Sequence, residues 1–599
     1  MPNPSRSIIA LAALLAACAA PATSTSTTND PPIAAKRVES RRGVIVTSAT
    51  DASAAGLAMM EQGGNAIDAA VAASFALGVV DPSQTGLGGY AVGVAWIAKD
   101  HRAEVMEAMG ETGADPAWAQ PDPPRAAAAS VTDATNEGGD ARQPKTALVP
   151  GFVAGLLEWQ AARGKLSRAA VLAPAIRLAR EGFIVGPLNH RLFSASIEKL
   201  KADSEAMALF MPGGQVVRVG DRIVQAKLAT LLEAIARDGA SAFYTGEVAR
   251  TIAEKTRRVG GMLDAADFAA YKPNMRRPTC STFLGYTVVS APSPVAGPAM
   301  SEVLHLAEMS GLTRMGNPTF DADAAVKMAD AIRVSLVDRR LVGGHPDWAP
   351  SPVRGFTSEA FAATRVAQVN AGFRDTIPRG DAWAFEHEAV PAACAAMDSY
   401  AETARPSAAA GPERDDAETL GSQTSHMVVI DGEHNAVSLT SSVGVLFGSG
   451  VYANGIFLNS SGNLFSRGER KARRKPGSSI APTLVLEGNE IRFAAGAGGA
   501  AYIPTAVPQA LLRMAAWGQD PFAAIAAPRL HPSAAGGALE IEQGFALPVY
   551  GALRAHGYLP MNKIANLQFA GIAAAALRRD GVIVGAADPR RDGVAVGMR

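Results

Sequence analysis

The 599-residue chain has no excess of either charge, 56 Lys and Arg against 56 Asp and Glu. That balance gives no global field to draw in nucleic acid or an anionic membrane surface, so neither is expected as a partner through charge. Nine histidines include no HExxH and no paired-ligand spacing, and no metal or other cofactor is expected. His426 and His434 read as core or turn residues rather than ligands. Aromatic residues make up only 6% while glycines number 59, which suggests many tight turns and helices packed closely on sheet. No internal repeat is evident. The apolar run near the start, Ile8 to Leu15, is too short to span a bilayer. With 48% hydrophobic residues the chain can build a large core, and the class it implies is globular α/β.

Cysteine is scarce, with three in all. The first lies in Leu15-Ala16-Ala17-Cys18, after Arg6 and the apolar run, a signal-peptide shape whose end resembles the lipobox of bacterial lipoproteins. Residues 1–18 are thus expected to be a lipoprotein signal peptide, with Cys18 lipidated. Residues 19–40 contain Thr23-Ser24-Thr25-Ser26-Thr27-Thr28 between prolines and read as a disordered tether. The protein is then exported, periplasmic or anchored in the cell envelope, and meets a membrane only through that lipid. Cys280 and Cys394 remain, and their spacing does not decide whether they pair.

Folding proper begins at the short strand Gly43-Val44-Ile45-Val46-Thr47. Asp51 or Ser53 is expected to cap a helix that Gly63-Gly64 ends, and Asn65 to open a second, Ala66 to Val80, apolar on most faces and therefore buried. Gly86-Leu87-Gly88-Gly89-Tyr90-Ala91 and Gly496-Ala497-Gly498-Gly499-Ala500-Ala501 both match a relaxed dinucleotide-binding pattern. The first leads into a strand, and Pro504 and Pro508 after the second disfavour the helix that pattern needs, so nucleotide binding is set aside. Ala114 to Lys145 has no periodicity and reads as a surface excursion, and Ala404 to Gly421 as a loop. Arg467 to Lys475 is a basic run, expected to be a short, open, solvated loop, that leads into Pro476-Gly477-Ser478-Ser479.

The most informative stretch follows that loop. Gly421-Ser422-Gln423-Thr424-Ser425-His426 reads as the end of the loop, running into a strand at Met427-Val428-Val429-Ile430-Asp431, and after a turn at Asp431-Gly432 the chain resumes as Asn435 to Ser442, a second strand. A Thr hydroxyl is a weak nucleophile. Cleavage at Gln423-Thr424 would place a free α-amine, with an unperturbed pKa of roughly 7.7–8.0, beside it as general base. Gly498-Gly499 could offer backbone N–H groups to an oxyanion with no Cβ in the way.

Three sets of residues resemble the gamma-glutamyltransferases, which are N-terminal-nucleophile hydrolases: Gln423-Thr424-Ser425-His426 with Gly477-Ser478-Ser479 and Gly496 to Gly499; Gly63 to Ala73 with Gly86 to Gly89; and scattered segments on to Asp588-Pro589-Arg590. The resemblance implies a four-layer αββα sandwich with the strands after Thr424 and around Ile491 to Ala494 at its centre. It implies self-cleavage into a large subunit, residues 41–423, and a small catalytic subunit, residues 424–599, which stay together as a heterodimer. It implies Thr424 as nucleophile, Ser442 as the second hydroxyl, Gly498 and Gly499 at the oxyanion, and Ser478 and Ser479 lining the pocket of a small amide or peptide substrate. The substrate-holding positions depart from the family: Gly110 stands where an Arg is expected, Gly444 for an Asn, and Asn463-Leu464 for an acidic pair. Hydrolysis or transfer of a γ-glutamyl-like group from an amide such as glutathione is the first expectation. Hydrolysis of another amide, as by relatives resembling cephalosporin acylases or oxamate amidohydrolases, is the second, with an exposed substrate carboxylate held by Arg470, Arg473, Arg474 or Lys475. A non-catalytic surface lipoprotein on the same fold is the third.

Overall fold

The computed structural model describes residues 35–119, 142–339, 345–348, 350–397, 422–465, 470–563 and 569–599. The expected signal peptide, Cys18 and most of the tether lie outside these residues, as do the whole of the 404–421 loop, most of the 114–145 excursion and part of the basic run.

Fourteen strands form two antiparallel sheets. In chain order they are β1 Arg37–Ser40, β2 Gly43–Thr47, β3 Tyr90–Ile97, β4 Arg102–Ala108, β5 Asn274–Arg276, β6 Thr279–Phe283, β7 Tyr286–Ser290, β8 Ser422–Asp431, β9 Ala436–Val445, β10 Thr483–Glu487, β11 Glu490–Gly498, β12 Gly571–Leu577, β13 Ile583–Ala587 and β14 Val594–Gly597. One sheet runs β14-β2-β8-β9-β3-β4-β5 and the other β1-β13-β12-β11-β10-β7-β6. Strand β8 of the first faces β11 and β12 of the second, so the two sheets stack.

Alternation along β8 and β9 shows how the layers are built, because successive side chains point to opposite faces. Met427, Val429, Val437 and Leu439 join the apolar cluster beneath the helices α1 (Thr50–Glu61), α2 (Ala66–Val80) and α3 (Phe152–Arg163). Val428, Ile430 and Ala436 join the other cluster, which runs between the sheets and under α4 (Gly297–Met309) and α5 (Ile503–Ala515). The architecture is the expected four-layer αββα sandwich, with β8 and β11 central in their sheets.

The capping expectation holds for α2, where the Asn65 side chain accepts from the backbone and Asp68 completes a capping box. For α1 it does not. That helix starts at Thr50 after Ala49, which gives no side-chain cap. Ser53 instead bonds the Val594 carbonyl at 2.9 Å, tying the helix to β14. A second correction concerns the glycine run 496–499, which leads through the single turn Ala500–Tyr502 into α5 despite its prolines. Pro504 falls in the first turn, where N–H groups have no helical partner, and Pro508 forfeits one internal bond. Cys280 and Cys394 are joined in a disulfide, with Cα atoms 5.6 Å apart.

Candidate active site

Strand β8 passes unbroken through Gln423 and Thr424, and its pairing with β9 slips there. Gln423 pairs with Gly444 and Ser425 with Ser441, so Ser442 and Val443 together oppose Thr424 alone. This is a bulge on β9, which re-aims a side chain at the cost of one unpaired residue. Gly444, at φ +92°, makes the turn, and a Cβ there would stand 2.3 Å from Ser460 Oγ. The result is that Thr424 Oγ1 donates to Ser442 Oγ at 3.2 Å, and Ser442 Oγ accepts from the Gly444 N–H at 2.8 Å. Both residues are buried.

Thr424 and Ser442 share the face that looks toward the second sheet, two positions along from His426 and Thr440, whose side chains bond at 2.8 Å. That face is polar where a sandwich core is usually apolar, and β11 accommodates it with glycine. A Cβ on Gly498 would lie 1.8 Å from the Thr424 carbonyl oxygen, and one on Gly496 would lie 2.2 Å from the His426 ring. Gly499 follows at φ +147°. Burial drives His426 down to about 3, so the ring is neutral. Its role is that of a core residue, as expected, and His434 at φ +62° is a turn residue.

The opposite face of the same strands carries a second polar group. Ser425 Oγ donates to Asp81 at 2.7 Å, Gln84 Nε2 donates to both Asp81 oxygens at 2.9 Å, and Thr85 donates to Ser441 Oγ at 2.7 Å. Burial raises the Asp81 carboxyl to about 6, against the pull of the hydrogen bonds from Gln84 and Ser425. Arg591 Nη1 donates to Gln84 Oε1 at 2.5 Å and Nη2 to the Gly498 carbonyl at 3.2 Å. Sequence reasoning missed Asp81, Gln84, Ser425 and Arg591 as site residues.

Other candidates sit at varying remove. Ser479 Oγ donates to the Ala500 carbonyl at 2.8 Å, next to Gly499, and the Ser478 N–H bonds the Pro294 carbonyl at 2.9 Å. Gly110 is buried, and a Cβ there would meet Ser461 Oγ at 2.5 Å and Asn459 Oδ1 at 3.4 Å. Asn459 and Ser460 were also unforeseen. Asn459 spans the Gly88 and Leu148 carbonyls at 2.9 Å each, and Ser460 Oγ accepts from the Val445 N–H at 3.0 Å. Asn463 Nδ2 donates to Gln143 at 3.0 Å, and Leu464 packs against the inter-sheet core.

The basic segment, expected to be open, is tied down over its described part, 470–475. Arg470 stacks on Trp118 at 4.8 Å, Arg474 on Trp348 at 4.7 Å and Lys475 on Tyr271 at 5.1 Å. Arg473 pairs with Asp267 at 3.3 Å and Glu111 at 3.6 Å, and Lys475 Nζ donates to the Lys272 carbonyl at 2.8 Å. Burial lowers the Lys475 ammonium, with Glu107 and Glu111 pulling the other way. The physical reason is local: aromatic faces and carboxylates supply better partners to these cations than water does. None of the four is poised in the uncut chain as a carboxylate clamp.

A strand threonine, a facing serine hydroxyl and a glycine strand against the threonine backbone make up the candidate site. The family model described as Gamma-glutamyltranspeptidase matches residues 52–598. The chain belongs to that family. It is similar to the acylase ACY 1 proenzyme of Pseudomonas sp. (strain SE83), 29% identical over 571 residues, 92% of this chain and 93% of the relative. It is equally similar to the glutathione hydrolase proenzyme of Escherichia coli (strain K12), 29% identical over 576 residues, 92% and 91%. Among solved structures, cephalosporin acylase from Bacillus halodurans shares the fold with a TM-score of 0.76 at 23% identity, covering 97% of this chain and 99% of the other. The protein is therefore a hydrolase or acyltransferase of the gamma-glutamyltranspeptidase family. No helix among the described residues is long and apolar enough to cross a membrane.

Proposed function

We propose that the chain is a self-processing amide hydrolase or acyltransferase with Thr424 as nucleophile. The observation that carries the reading is the bulge that sets Thr424 Oγ1 against Ser442 Oγ, with Gly498 pressed on the Thr424 carbonyl. In maturation, Thr424 Oγ1 attacks the Gln423 carbonyl carbon, the hydroxyl proton passes to the Thr424 nitrogen as the Gln423–Thr424 C–N bond breaks and the C–O bond forms, and water opens the resulting ester to give the Gln423 carboxylate and the free Thr424 hydroxyl. Residues 41–423 and 424–599 then remain as two intertwined subunits. In turnover, the freed α-amine takes the Thr424 hydroxyl proton as the oxygen attacks the substrate amide. The proton passes to the departing amine, and water or an acceptor amine releases the acyl group. Gly498 and Gly499 N–H groups hold the oxyanion, Ser442 steadies Thr424, and Ser478 and Ser479 line the acyl pocket.

For the substrate we propose an acyl group without the free α-amino-acid end of a γ-glutamyl donor. Gly110, Asn463 and Leu464 offer no charge to such an end, and a lost charged hydrogen bond is worth roughly 1.5–3 kcal/mol. Asn459, Ser460 and Ser461 add no charge in that region, and their polar groups bond the surrounding backbone and one another. A glutaryl-type amide keeps the terminal carboxylate but drops the ammonium, so it calls for one of the two missing charged clamps where the γ-glutamyl end of glutathione calls for both, and it fits this lining better. We further propose export with lipidation at Cys18.

The test is a hydrolysis screen of the processed protein with glutaryl-p-nitroanilide, γ-glutamyl-p-nitroanilide and glutathione, alongside Thr424→Ala and Thr424→Ser. Turnover of the glutaryl amide well above the other two supports the reading, and efficient glutathione hydrolysis overturns the substrate assignment. Thr424→Ala should stay whole and inactive. Thr424→Ser should cleave more slowly, because the hydroxyl remains while the methyl that restricts χ1 is lost.

A further inference from the structure

Three side chains, Asp81, Gln84 and Arg591, form one buried chain around the site. Arg591 grips the Gly498 carbonyl with one nitrogen and Gln84 with another. Gln84 donates to Asp81, and Asp81 accepts from Ser425, the residue after the nucleophile. One end therefore holds the Thr424 strand and the other the glycine pressed against the Thr424 carbonyl.

The Gly498–Gly499 peptide is planar and trans, so its C=O and N–H point in opposite directions. Fixing the carbonyl on Arg591 aims the Gly499 N–H to the side away from Arg591. Arg591 is itself held: its N–H bonds the Asp588 carbonyl at 3.2 Å and its own carbonyl accepts from Lys36 Nζ at 2.5 Å. A side chain at Gly571 would run into its Cγ at 2.4 Å, so strand β12 packs directly along it.

We propose that Asp81, Gln84 and Arg591 are positioning residues that set the nucleophile strand against the Gly498–Gly499 peptide, with Arg591 fixing the direction of the Gly499 N–H. This rests on the oxyanion role given to those glycines above. A simple buried ion pair would not need this arrangement, because Gln84 stands between the acid and the guanidinium. Replacing both charges together separates the two roles.

The experiment compares Arg591→Lys, the double variant Asp81→Asn/Arg591→Met, and Arg591→Ala with and without millimolar guanidinium. Readouts are the self-cleavage half-time of fresh precursor, kcat and KM for glutaryl-p-nitroanilide, and Tm. Arg591→Lys keeps the cation and most of the volume, and should lose about tenfold in kcat with KM little changed. The double variant leaves no lone buried charge, and should lose about 10²–10³-fold in kcat and in self-cleavage rate. Added guanidinium should restore part of the Arg591→Ala loss, which a packing defect would not allow. Rates within threefold of the parent for Arg591→Lys and the double variant overturn the proposal, and self-cleavage alone decides if the parent does not turn over the probe. If Thr424→Ala is still cut at the same bond, the nucleophile reading fails first and independently.

Discussion

The close approach of β11 to β8 makes Gly498→Ala a severe test of the site. The added Cβ would stand 1.8 Å from the Thr424 oxygen, 2.6 Å from its carbonyl carbon and 3.4 Å from the Ser425 nitrogen, all backbone atoms. Carbon needs about 3.5–4.0 Å from its neighbours, so the Thr424 peptide and β11 must separate by roughly 1.5–2 Å. The displaced peptide is the one that follows Thr424, the proposed nucleophile, and a misplacement of about 1 Å at a reacting group can lower the rate about 100-fold. Overpacking of this kind also destabilises by about 1–3 kcal/mol, which lowers Tm without unfolding a chain this size. The assay is the time course of fragment appearance on a denaturing gel, starting from precursor made without preincubation. Gly496→Ala is the internal control. Its Cβ meets the His426 ring at 2.2 Å, in the same strand and on the same face but two residues from the reacting centre. Both variants should lose stability, and only Gly498→Ala should lose self-cleavage about 100-fold or more. Equal cleavage rates for Gly498→Ala and the parent would refute the placement of β11 against the nucleophile.

Two further outcomes follow from buried groups. Because burial raises Asp81 to about 6, the folded chain holds this proton more tightly than the unfolded chain, where the value is about 3.9. Its contribution to stability is complete below about pH 4 and is lost as pH rises through about 6, and Asp81→Asn cannot show that loss; urea titrations across this window should find the parent declining relative to the variant by about 3 kcal/mol at most, and a pH-independent difference would contradict the assignment. The Cys280–Cys394 bond closes a 114-residue separation between edge strand β6 and the segment before the nucleophile. Removing it through Cys280→Ala/Cys394→Ala should destabilise by about 4–5 kcal/mol on the chain-entropy account, read as a lower urea midpoint that reductant does not lower further.

What could be read from the sequence was local. Alternation and the Asp431-Gly432 turn were enough for Met427 to Asp431 of β8 and for β9, and Asn65 with Asp68 for the start of α2, whereas Ser422 to His426, polar and read as loop, already belong to β8. Gly498 was legible as a place of close backbone approach, against the Thr424 carbonyl, and Ser442 as the hydroxyl that faces Thr424 at 3.2 Å. The Asp81-Gln84-Arg591 chain was not legible, because Gln84 and Arg591 lie 507 positions apart and nothing local in Asp588-Pro589-Arg590-Arg591 announces which arginine turns inward. The bulge at Thr424 was hidden for a similar reason: register belongs to a pair of strands rather than to either one. The basic run misled because charge suggests solvent, whereas Trp118, Trp348 and Tyr271, all remote in sequence, hold it down. Pro504 and Pro508 misled because a helix tolerates proline in its first turn and survives one missing bond later.

The measurement closest to the central claim is N-terminal sequencing, with intact mass, of the smaller fragment from purified protein. A fragment that begins Thr424-Ser425-His426-Met427, absent from the Thr424→Ala variant, is what the account predicts. A chain that stays whole under all conditions, or a small fragment starting at any other residue, would contradict it.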